Sequence, residues 1–383
     1  MADLVIKNIS VFQENGFRRG TVFIRNGRIK KCDFSRNPEK PSLGEEAAII
    51  NGRGNLLLPG MIDIHFHGTG GADSSKATEA ILEKMENSLL CQGVTGFLPT
   101  FYSIPFSLLE KNLQFYRGYL RRNTGKTSVL GVNLEGPFLN KKQGGSHDKK
   151  LLTDFSDTKY VRLIREYRDI IRIITVAPEL RSAMKHIRQF SQWGIRVMLG
   201  HTLATCSESR RAFSAGASGI THFYNRITPF HHREVGLIGA AFLDRDVYVE
   251  LIADGLHSSP EALQIAFKNI HRDRIIIVSD SIVCPEKVKV IKGLQGCRGY
   301  VDSSNNFVGG GSSLLSSLKH VIKNMGMDLE KAWGCASLNP AVFLGEEKNY
   351  GSIRPGRKAD LVILDQNLGI RTVIKSGEII CAA

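Results

Sequence analysis

The middle of this chain alternates short apolar segments with amphipathic segments, and this alternation constrains its fold more than any other feature. The apolar segments have the length of β-strands, and the amphipathic segments have helical spacing. Such alternation is typical of βα units, because neighbouring parallel strands need a helical crossover. The strand candidates are residues 61–65, 96–99, 129–135, 173–177, 196–199, 219–221, 247–252 and 275–279, and the helix candidates are residues 80–90, 107–119, 181–193, 260–267 and 314–324.

Eight strand candidates in succession favour an α/β fold of the closed (β/α)8, TIM-barrel type over an open sheet. A doubly wound sheet would need a glycine-rich phosphate loop after its first strand and an acidic residue about twenty positions later. Residues 68–71 are rich in glycine, but they follow two histidines and lack that acid. Because a barrel of this type takes about 250 residues, a chain of 383 residues has room for a smaller second unit.

Both ends of the chain are rich in predicted β-strands. Near the start, residues 20–24 precede an Asn26-Gly27 hairpin turn. Near the end, residues 359–364 and 372–380 are strand-like, and the second segment contains a Ser376-Gly377 turn. We therefore expect two β-rich ends to flank the barrel.

The composition is that of an ordinary globular protein, with 42% hydrophobic and 23% charged residues. A membrane-spanning helix needs about 20 consecutive apolar residues, and the chain has no such run. The first residues lack the pattern of a signal peptide, and the seven cysteines form no C-x-x-C pair. We therefore expect no membrane association, a cytoplasmic location and free thiols.

The formal net charge is +14, and the basic residues are scattered along the chain. Such a charge would favour an anionic substrate or weak contact with nucleic acid, but a solvated basic surface is its more usual meaning. A nucleic-acid-binding protein is the alternative that the charge alone suggests. Because no recognised binding motif or aromatic-interleaved basic patch accompanies it, we expect no specific nucleic-acid partner.

Potential metal ligands come at the ends of strand candidates from distant parts of the chain. In a (β/α)8 barrel the carboxyl ends of the strands converge on one face, so these side chains are expected to meet there. His65 and His67, two residues apart, point to the same side of a strand and can hold one ion together. The full set is His65 and His67 after the first strand, Glu135 after the third, His201 after the fifth, His222 after the sixth and Asp280 after the eighth.

Imidazole and carboxylate ligands suit Zn²⁺ or Fe²⁺, and a bound ion lowers the pKa of a water molecule toward about 7. We therefore predict a divalent metal ion, with zinc favoured over iron, and hydrolytic chemistry. Asp280 is the predicted general acid and base, and a helix N-cap is its alternative role.

Other polar residues of the predicted loops are candidates for substrate binding. His257 follows the seventh strand and can contact the substrate or polarise its carbonyl, and a structural loop histidine is the alternative. His147, Asn225 and Arg233 can bind polar groups, and arginine suits a phosphate. Three further histidines, His186, His271 and His320, fall in helical patterns between strands and are expected on the surface.

The segment LPGMIDIHFHG at residues 58–68 resembles the signature of the amidohydrolase superfamily. Several other motifs look like those of the N-acetylglucosamine-6-phosphate deacetylase family within it. They are NLEGPFLN at 133–140, GHT at 200–202, THFYN at 221–225, HHRE at 231–234, ADGLH at 253–257, SDS at 279–281, SLNPA at 337–341 and GSIRPGRKADLV at 351–362. The resemblance runs nearly from end to end.

The resemblance implies hydrolysis of the acetamide of N-acetylglucosamine 6-phosphate by a metal-activated water. Glu135, His201 and His222 would hold one ion, His65 and His67 could hold a second, and Asp280 would be the acid and base. The substrate would be bound by Ser146, His147, Asn225, Arg226, Arg233, His257, Gly309, Gly310 and Gly311.

The resemblance also implies an assembly and a domain division. The arginine that matches Arg233 reaches the neighbouring subunit's phosphate site in the family, which implies a homodimer. The chain ends, residues 1–57 and 349–383, would form a small β-sandwich, and residues 58–348 would form the barrel.

The sequence alone leaves other functions open. The galactosamine isomer of the substrate is one alternative, and other amidohydrolases, such as dihydroorotase, hydantoinase or adenine deaminase, are another. Many of those bridge two metals with a carboxylated lysine, whereas Glu135 occupies the comparable strand end here. A non-catalytic scaffold is a third alternative, and the complete set of ligands argues against it.

Overall fold

The structure is a computed structural model that describes residues 3–13, 16–36, 38, 47–123, 127–305 and 307–382. Its strands are β1 Leu4–Gln13, β2 Gly16–Arg25, β3 Arg28–Asp33, β4 Ala48–Asn51, β5 Leu56–Pro59, β6 Met61–Phe66, β7 Gly68–Thr69, β8 Ala72–Asp73, β9 Val94–Phe101, β10 Val132–Glu135, β11 Ile171–Val176, β12 Arg196–Leu199, β13 Ala217–Ile220, β14 Tyr248–Ile252, β15 Ile275–Val278, β16 Lys289–Lys292, β17 Arg298–Val301, β18 Phe307–Gly310, β19 Leu361–Leu364, β20 Ile370–Lys375 and β21 Glu378–Ala382. Its α-helices are α1 Glu79–Leu90, α2 Phe106–Arg122, α3 Thr158–Glu166, α4 Ala183–Gln192, α5 Cys206–Ser214, α6 Gly236–Leu243, α7 Pro260–Asn269, α8 Leu314–Lys323, α9 Leu329–Gly334 and α10 Leu338–Phe343.

Eight strands form one sheet in the order β6, β9, β10, β11, β12, β13, β14 and β15. Neighbours from β9 to β15 run parallel. A backbone hydrogen bond of 3.0 Å from Asp280 N to His65 O joins the two ends of this series. These strands coincide with the eight predicted segments to within a few residues. The predicted TIM-type barrel is therefore confirmed.

The barrel strands are almost entirely buried, as expected for a sheet covered on both faces. Every residue of β10, β14 and β15 is buried, for example. All five predicted helices are present, with ends within three residues of the prediction. Sequence analysis did not identify α3, α5, α6, α9 and α10. Helix α6 has the sequence GLIGAAFL, which is apolar on every side and therefore carries no amphipathic pattern.

The two chain ends share a second sheet of eight strands. Its order is β21, β20, β19, β5, β1, β2 and β3, with β4 also paired to β1. A backbone hydrogen bond of 2.9 Å from Ile29 N to Arg357 O ties β3 to the segment before β19. The sheet covers a core of buried aliphatic residues from both ends, among them Ile9, Ile24 and Ile363. The prediction that the ends combine into one β-rich unit is therefore confirmed.

A buried ion pair lies beside this sheet. The Lys375 ammonium donates to Asp360 Oδ2 at 2.6 Å and to the Thr95 carbonyl at 2.7 Å. Lys375 is 6% exposed and Asp360 is 5% exposed. Because neither charge is hydrated, each depends on the other for its solvation.

The chain divides into two compact units. One contains residues 1–62, 86–96 and 326–383, and the other contains residues 63–85 and 97–325. The predicted division into residues 58–348 against 1–57 and 349–383 stays a prediction.

The expectation that His186 and His320 lie on the surface was wrong. His186 on α4 is buried and stacks on Phe155 with ring centroids 4.6 Å apart. His320 on α8 is 3% exposed. The sequence pattern predicted that these histidines lie in helices, but it did not predict which face of each helix is buried. His271 is exposed as predicted, and it precedes the short 3-10 helix Arg272–Arg274.

Within the described residues, no helix is long and apolar enough to cross a membrane.

Candidate metal centre and active site

The structure brings the predicted metal ligands together at the carboxyl ends of the barrel strands. His65 and His67 come from the end of β6, and Glu135 is the last residue of β10. His201 and His222 each follow a strand by two residues, after β12 and β13. All five are at most 4% exposed. Residues from four separate strands therefore surround one buried volume.

Glu135 is the centre of one group. Its Oε1 lies 2.9 Å from His201 Nε2 and 3.0 Å from His222 Nε2. The two histidine nitrogens are 3.0 Å from each other. This trio has the compactness that common coordination of one ion requires.

A second group contains His65, His67 and Asp280. The two histidine Nε2 atoms are 3.2 Å apart, and each lies 3.4 Å from Asp280 Oδ1. Glu135 links this group to the first, because its Oε2 lies 3.3 Å from His67 Nε2. The donors of the two groups therefore form one continuous cluster of imidazoles and carboxylates.

Hydrogen bonds at Nδ1 fix how three of the imidazoles face the cluster. His65 Nδ1 lies 2.9 Å from Glu250 Oε2, His67 Nδ1 lies 3.1 Å from the Thr100 carbonyl, and His201 Nδ1 lies 2.7 Å from the Gln143 carbonyl. Each of these partners is an acceptor, so Nδ1 carries a proton, and in the neutral form of each ring the lone pair of Nε2 points into the cluster.

The inward lone pairs make the donor set fit a divalent cation. When both rings are neutral, the Nε2 lone pairs of His65 and His67 face each other at 3.2 Å. Without a metal, the neighbouring carboxylates favour a proton there. Against the effect of burial, they raise the pKa of His65 to about 10 and that of His67 to about 9. The Nε2 atoms of His201 and His222 face a carboxylate oxygen. Acceptors that face acceptors repel each other unless a proton or a cation lies between them. Imidazole and carboxylate donors are those that zinc and iron(II) prefer.

His147 faces the same cluster in the opposite tautomer. The Ser103 backbone N–H donates to His147 Nδ1 at 3.1 Å, so the neutral ring carries its proton on Nε2. That atom lies 3.2 Å from Glu135 Oε2 and donates to it. Although His147 is as close to Glu135 as the other histidines, it presents a donor and not a lone pair.

The electrostatics of the cluster keep its carboxyl groups ionised. Burial opposes ionisation, but His65 and His67 outweigh it and lower the pKa of Asp280 to about 2. The pKa of Glu135 is likewise held well below its usual value, chiefly by His147, against the effect of burial. Burial also disfavours the charged form of His65, yet Glu250 and Asp280 raise its pKa to about 10. The cluster therefore has a strong affinity for positive charge.

The pKa of His201 is shifted in the opposite direction to that of His65. Burial lowers the pKa of His201 to about 4, although Glu135 acts against this. His201 is therefore neutral near pH 7, which is the protonation state that a metal-ligating imidazole requires.

Three cluster residues have left-handed backbone conformations. The φ angles are +48° for His201, +30° for His222 and +45° for Asp280. Such conformations cost about 1–3 kcal/mol each for residues other than glycine and are concentrated at functional sites. They turn the side chains from the strand ends toward the cluster.

The cluster forms the floor of a cavity of about 570 Å³. Six of the predicted substrate-binding residues line it: Ser146, His147, Asn225, Arg226, His257 and Gly309. Gly310 and Gly311 follow the lining residue Gly309 but are not part of the lining. Gly310 N donates to the Asp280 carbonyl at 3.1 Å. Arg233 lies outside the lining and is exposed, with its guanidinium 3.1 Å from His232 Nε2.

His257 presents a free nitrogen at this cavity. Asp254 Oδ2 lies 2.8 Å from His257 Nδ1. The buried Nε2 atom has no hydrogen-bond partner among the described residues. Burial opposes protonation of the ring, but Asp254 raises the pKa of His257 above its usual value. His257 is therefore oriented to meet a polar group of a bound molecule.

Sequence analysis missed two acids that support these histidines. Glu250 lies in β14, is fully buried and faces His65. A single charge within the apolar segment 247–252 was the signal that could have identified it. Asp254, 1% exposed, was noticed only as part of a motif. Two further residues, Asp73 and Tyr102, line the cavity near His67 and were not predicted.

Comparison with known proteins gives consistent matches. The sequence model of the amidohydrolase family matches residues 56–380. The N-acetylglucosamine-6-phosphate deacetylase of Bos taurus is 32% identical and covers 97% of this chain and 94% of its own length. The N-acetylgalactosamine-6-phosphate deacetylase of Escherichia coli O157:H7 is 32% identical over 85% of this chain and 87% of its own. The crystal structure of the Thermotoga maritima N-acetylglucosamine-6-phosphate deacetylase superposes with a TM-score of 0.85 at 30% identity, covering 99% of this chain and all of that one.

Proposed function

This chain belongs to the amidohydrolase family, and from that premise we propose that it hydrolyses the acetamide of N-acetylglucosamine 6-phosphate to acetate and glucosamine 6-phosphate. The observation that carries the proposal is the cluster of Glu135, His201 and His222 beside Asp280. It lies in a chain that matches a deacetylase of this substrate over nearly its whole length. The sequence identified the family and the enzyme class correctly.

Glu135, His201 and His222 would hold a divalent cation, and His65 and His67 have the orientation to hold a second. We propose zinc, with iron(II) as the alternative, because imidazole and carboxylate donors suit both. Such an ion, when bound, polarises a carbonyl and makes water a better nucleophile near neutral pH.

The chain's own groups supply the proton transfers. Asp280 is ionised and lies at the cavity floor, so it can accept a proton from the attacking water. It would then deliver that proton to the amide nitrogen as the carbon–nitrogen bond breaks. His147 lines the cavity, and its Nε2 lies 3.2 Å from Glu135 Oε2, so it would help to position that carboxylate beside the substrate. His257, whose ring is held by Asp254 at Nδ1, would donate from Nε2 toward the carbonyl oxygen of the substrate, where negative charge develops.

We propose that the sugar phosphate is bound by four further lining residues, Ser146, Asn225, Arg226 and Gly309. Gly310 and Gly311 would support the lining at Gly309 without contacting the substrate directly. We further propose a cytoplasmic homodimer in which Arg233 contacts the neighbouring subunit. The exposed position of Arg233 outside its own cavity is compatible with such a contact.

The test is acetate release from N-acetylglucosamine 6-phosphate and from its galactosamine isomer, with metal content measured by elemental analysis. The galactosamine isomer is the second candidate substrate, because the Escherichia coli relative that carries that name is as similar as the bovine one. We expect a higher kcat/KM for the glucosamine compound. A metal-loaded protein that releases acetate from neither compound refutes the proposal, and a preference for the galactosamine compound selects the second candidate.

A further inference from the structure

Two of the seven cysteines meet outside the catalytic cavity. All seven are free thiols in the structure. Cys91 is the first residue after α1 and is exposed, whereas Cys381 lies in β21 and is partly exposed. Their thiols are close enough to form a hydrogen bond with each other. Both belong to the unit that contains residues 1–62, 86–96 and 326–383.

The strand register directs the Cys381 side chain toward the turn that contains Cys91. Cys381 is paired with Val373 of β20, and Val373 is paired with Val362 of β19. Side chains that lie directly opposite each other in an antiparallel pair point to the same face of the sheet, so these three share one face. A Cβ atom on Gly93 would lie 3.4 Å from Val362 Cγ2, which places the turn after α1 against that face.

A second contact joins the same face of β20 to this part of the chain. Lys375 lies two residues after Val373 and therefore points to the same side of the strand. Its ammonium donates to the Thr95 carbonyl at 2.7 Å. The segment that begins with Cys91 is thus fixed against this face at two points.

The turn is itself held by backbone hydrogen bonds. Cys91 N donates to the Asn87 carbonyl at 3.1 Å, and Met61 N donates to the Gly93 carbonyl at 3.0 Å. The φ angle of Gly93 is +82°, a conformation that glycine adopts readily. The meeting of the two thiols is therefore a property of the folded unit.

The two thiols differ in a way that orders their reactions. Burial, and after it the hydrogen bond to Cys91, raise the pKa of the Cys381 thiol to about 11. Cys381 is therefore protonated near neutral pH, and it reacts slowly with an oxidant on its own because the thiolate is the nucleophile. Cys91 is the more exposed of the two, so an oxidant in solution reaches its sulfur first.

We propose that Cys91 and Cys381 form an oxidisable pair, a modification site at which a peroxide creates a disulfide between the end of α1 and the C-terminal strand. In the first step the Cys91 sulfur takes one oxygen from hydrogen peroxide, which gives a sulfenic acid and one water. In the second step the Cys381 sulfur displaces the hydroxyl group from the Cys91 sulfur, and that group leaves with the Cys381 proton as a second water. Two thiols are thereby oxidised, and one peroxide is reduced to two waters. The site is independent of the proposed hydrolysis, because neither thiol lines the catalytic cavity.

The disulfide would fasten an edge of the fold. In the described part of the chain, β21 is the edge strand of its sheet and is paired with β20. Chain ends are poorly ordered unless they are tied down. A disulfide that closes a long stretch of chain also restricts the unfolded state, which stabilises the folded one. The oxidised protein is therefore expected to resist heat better than the reduced protein.

The first test treats the purified protein with hydrogen peroxide, alkylates the remaining thiols and identifies linked peptides by mass spectrometry. A reductant-sensitive peptide that joins Cys91 to Cys381 within one chain is expected in the wild type. Cys91→Ser and Cys381→Ser should each abolish it, whereas Cys284→Ser, which removes another exposed thiol, should keep it. Oxidation of Cys91 while Cys381 is still fully alkylated, or a bond that links two chains on a non-reducing gel, would overturn the proposal.

The second test measures thermal unfolding of the same proteins before and after oxidation. Oxidation should raise the unfolding temperature of the wild type by about 2–8 °C, and a reductant should reverse the rise. The same treatment should produce no rise in Cys91→Ser or Cys381→Ser. An oxidised wild type that unfolds no later than the reduced protein, or an equal rise in either variant, would refute the fastening of β21 by this pair.

Discussion

Replacing Glu250 with glutamine is expected to weaken metal binding at the cluster. Glu250 is fully buried, and its Oε2 accepts from His65 Nδ1 at 2.9 Å and from His222 N at 3.3 Å. The carboxylate therefore sets the tautomer of His65 and increases the electron density at His65 Nε2. A glutamine oxygen can still accept these bonds, but it brings no charge.

The expected loss of metal affinity in Glu250→Gln follows from the loss of that charge. A hydrogen bond to a charged group contributes about 1.5–3 kcal/mol, against about 0.5–1.5 kcal/mol for a neutral one. The difference of about 1–1.5 kcal/mol corresponds to roughly five- to tenfold weaker metal binding, near the lower end of the range typical of groups that support metal ligands. The same change removes a counterion of the His65 ring, whose pKa Glu250 helps to raise to about 10 against the effect of burial. It also puts a glutamine amide where Glu250 Oε1 has no hydrogen-bond partner among the described residues. The metal-free variant should therefore unfold at a lower temperature than the metal-free wild type.

The assay is competition for zinc against a chelator of known affinity, together with thermal unfolding of the metal-free proteins. Glu110→Gln, which makes the same change on the exposed surface of α2, is the control. A variant whose metal affinity stays within twofold of wild type while its unfolding temperature falls would show that Glu250 only supports the fold. That result would refute the reasoning.

Three further predictions concern single residues. Asp280→Asn should reduce kcat by at least about 100-fold while metal content stays near that of wild type, because the proton transfer is lost; near-normal turnover would contradict the role of Asp280. Glu135→Ala should release metal, as measured by elemental analysis, and an unchanged metal content would count against Glu135 as a ligand. Lys375→Met should lower the free energy of unfolding in denaturant by about 3–5 kcal/mol, because it leaves Asp360 as an unpaired buried charge. A loss below about 1 kcal/mol would show that water already reaches this ion pair.

The sequence alone predicted the positions of the barrel strands and the residues at their ends. Strand-length apolar segments are a local property, and the prediction that parallel strands end at one face of a barrel needs only their order. His65, His67, Glu135, His201 and His222 were therefore assigned to one place before any distance was known.

The tertiary structure decided what surrounds those residues, because burial and hydrogen bonding join residues that are distant in the chain. Glu250 faces His65 across 185 positions, and the Ser103 N–H determines the tautomer of His147 from 44 positions away. The burial of His320 likewise depends on which side of α8 is covered. Sequence periodicity reports which faces are apolar, but it does not report which side chain lies opposite another. Only the folded chain shows which acid or backbone carbonyl orients each imidazole.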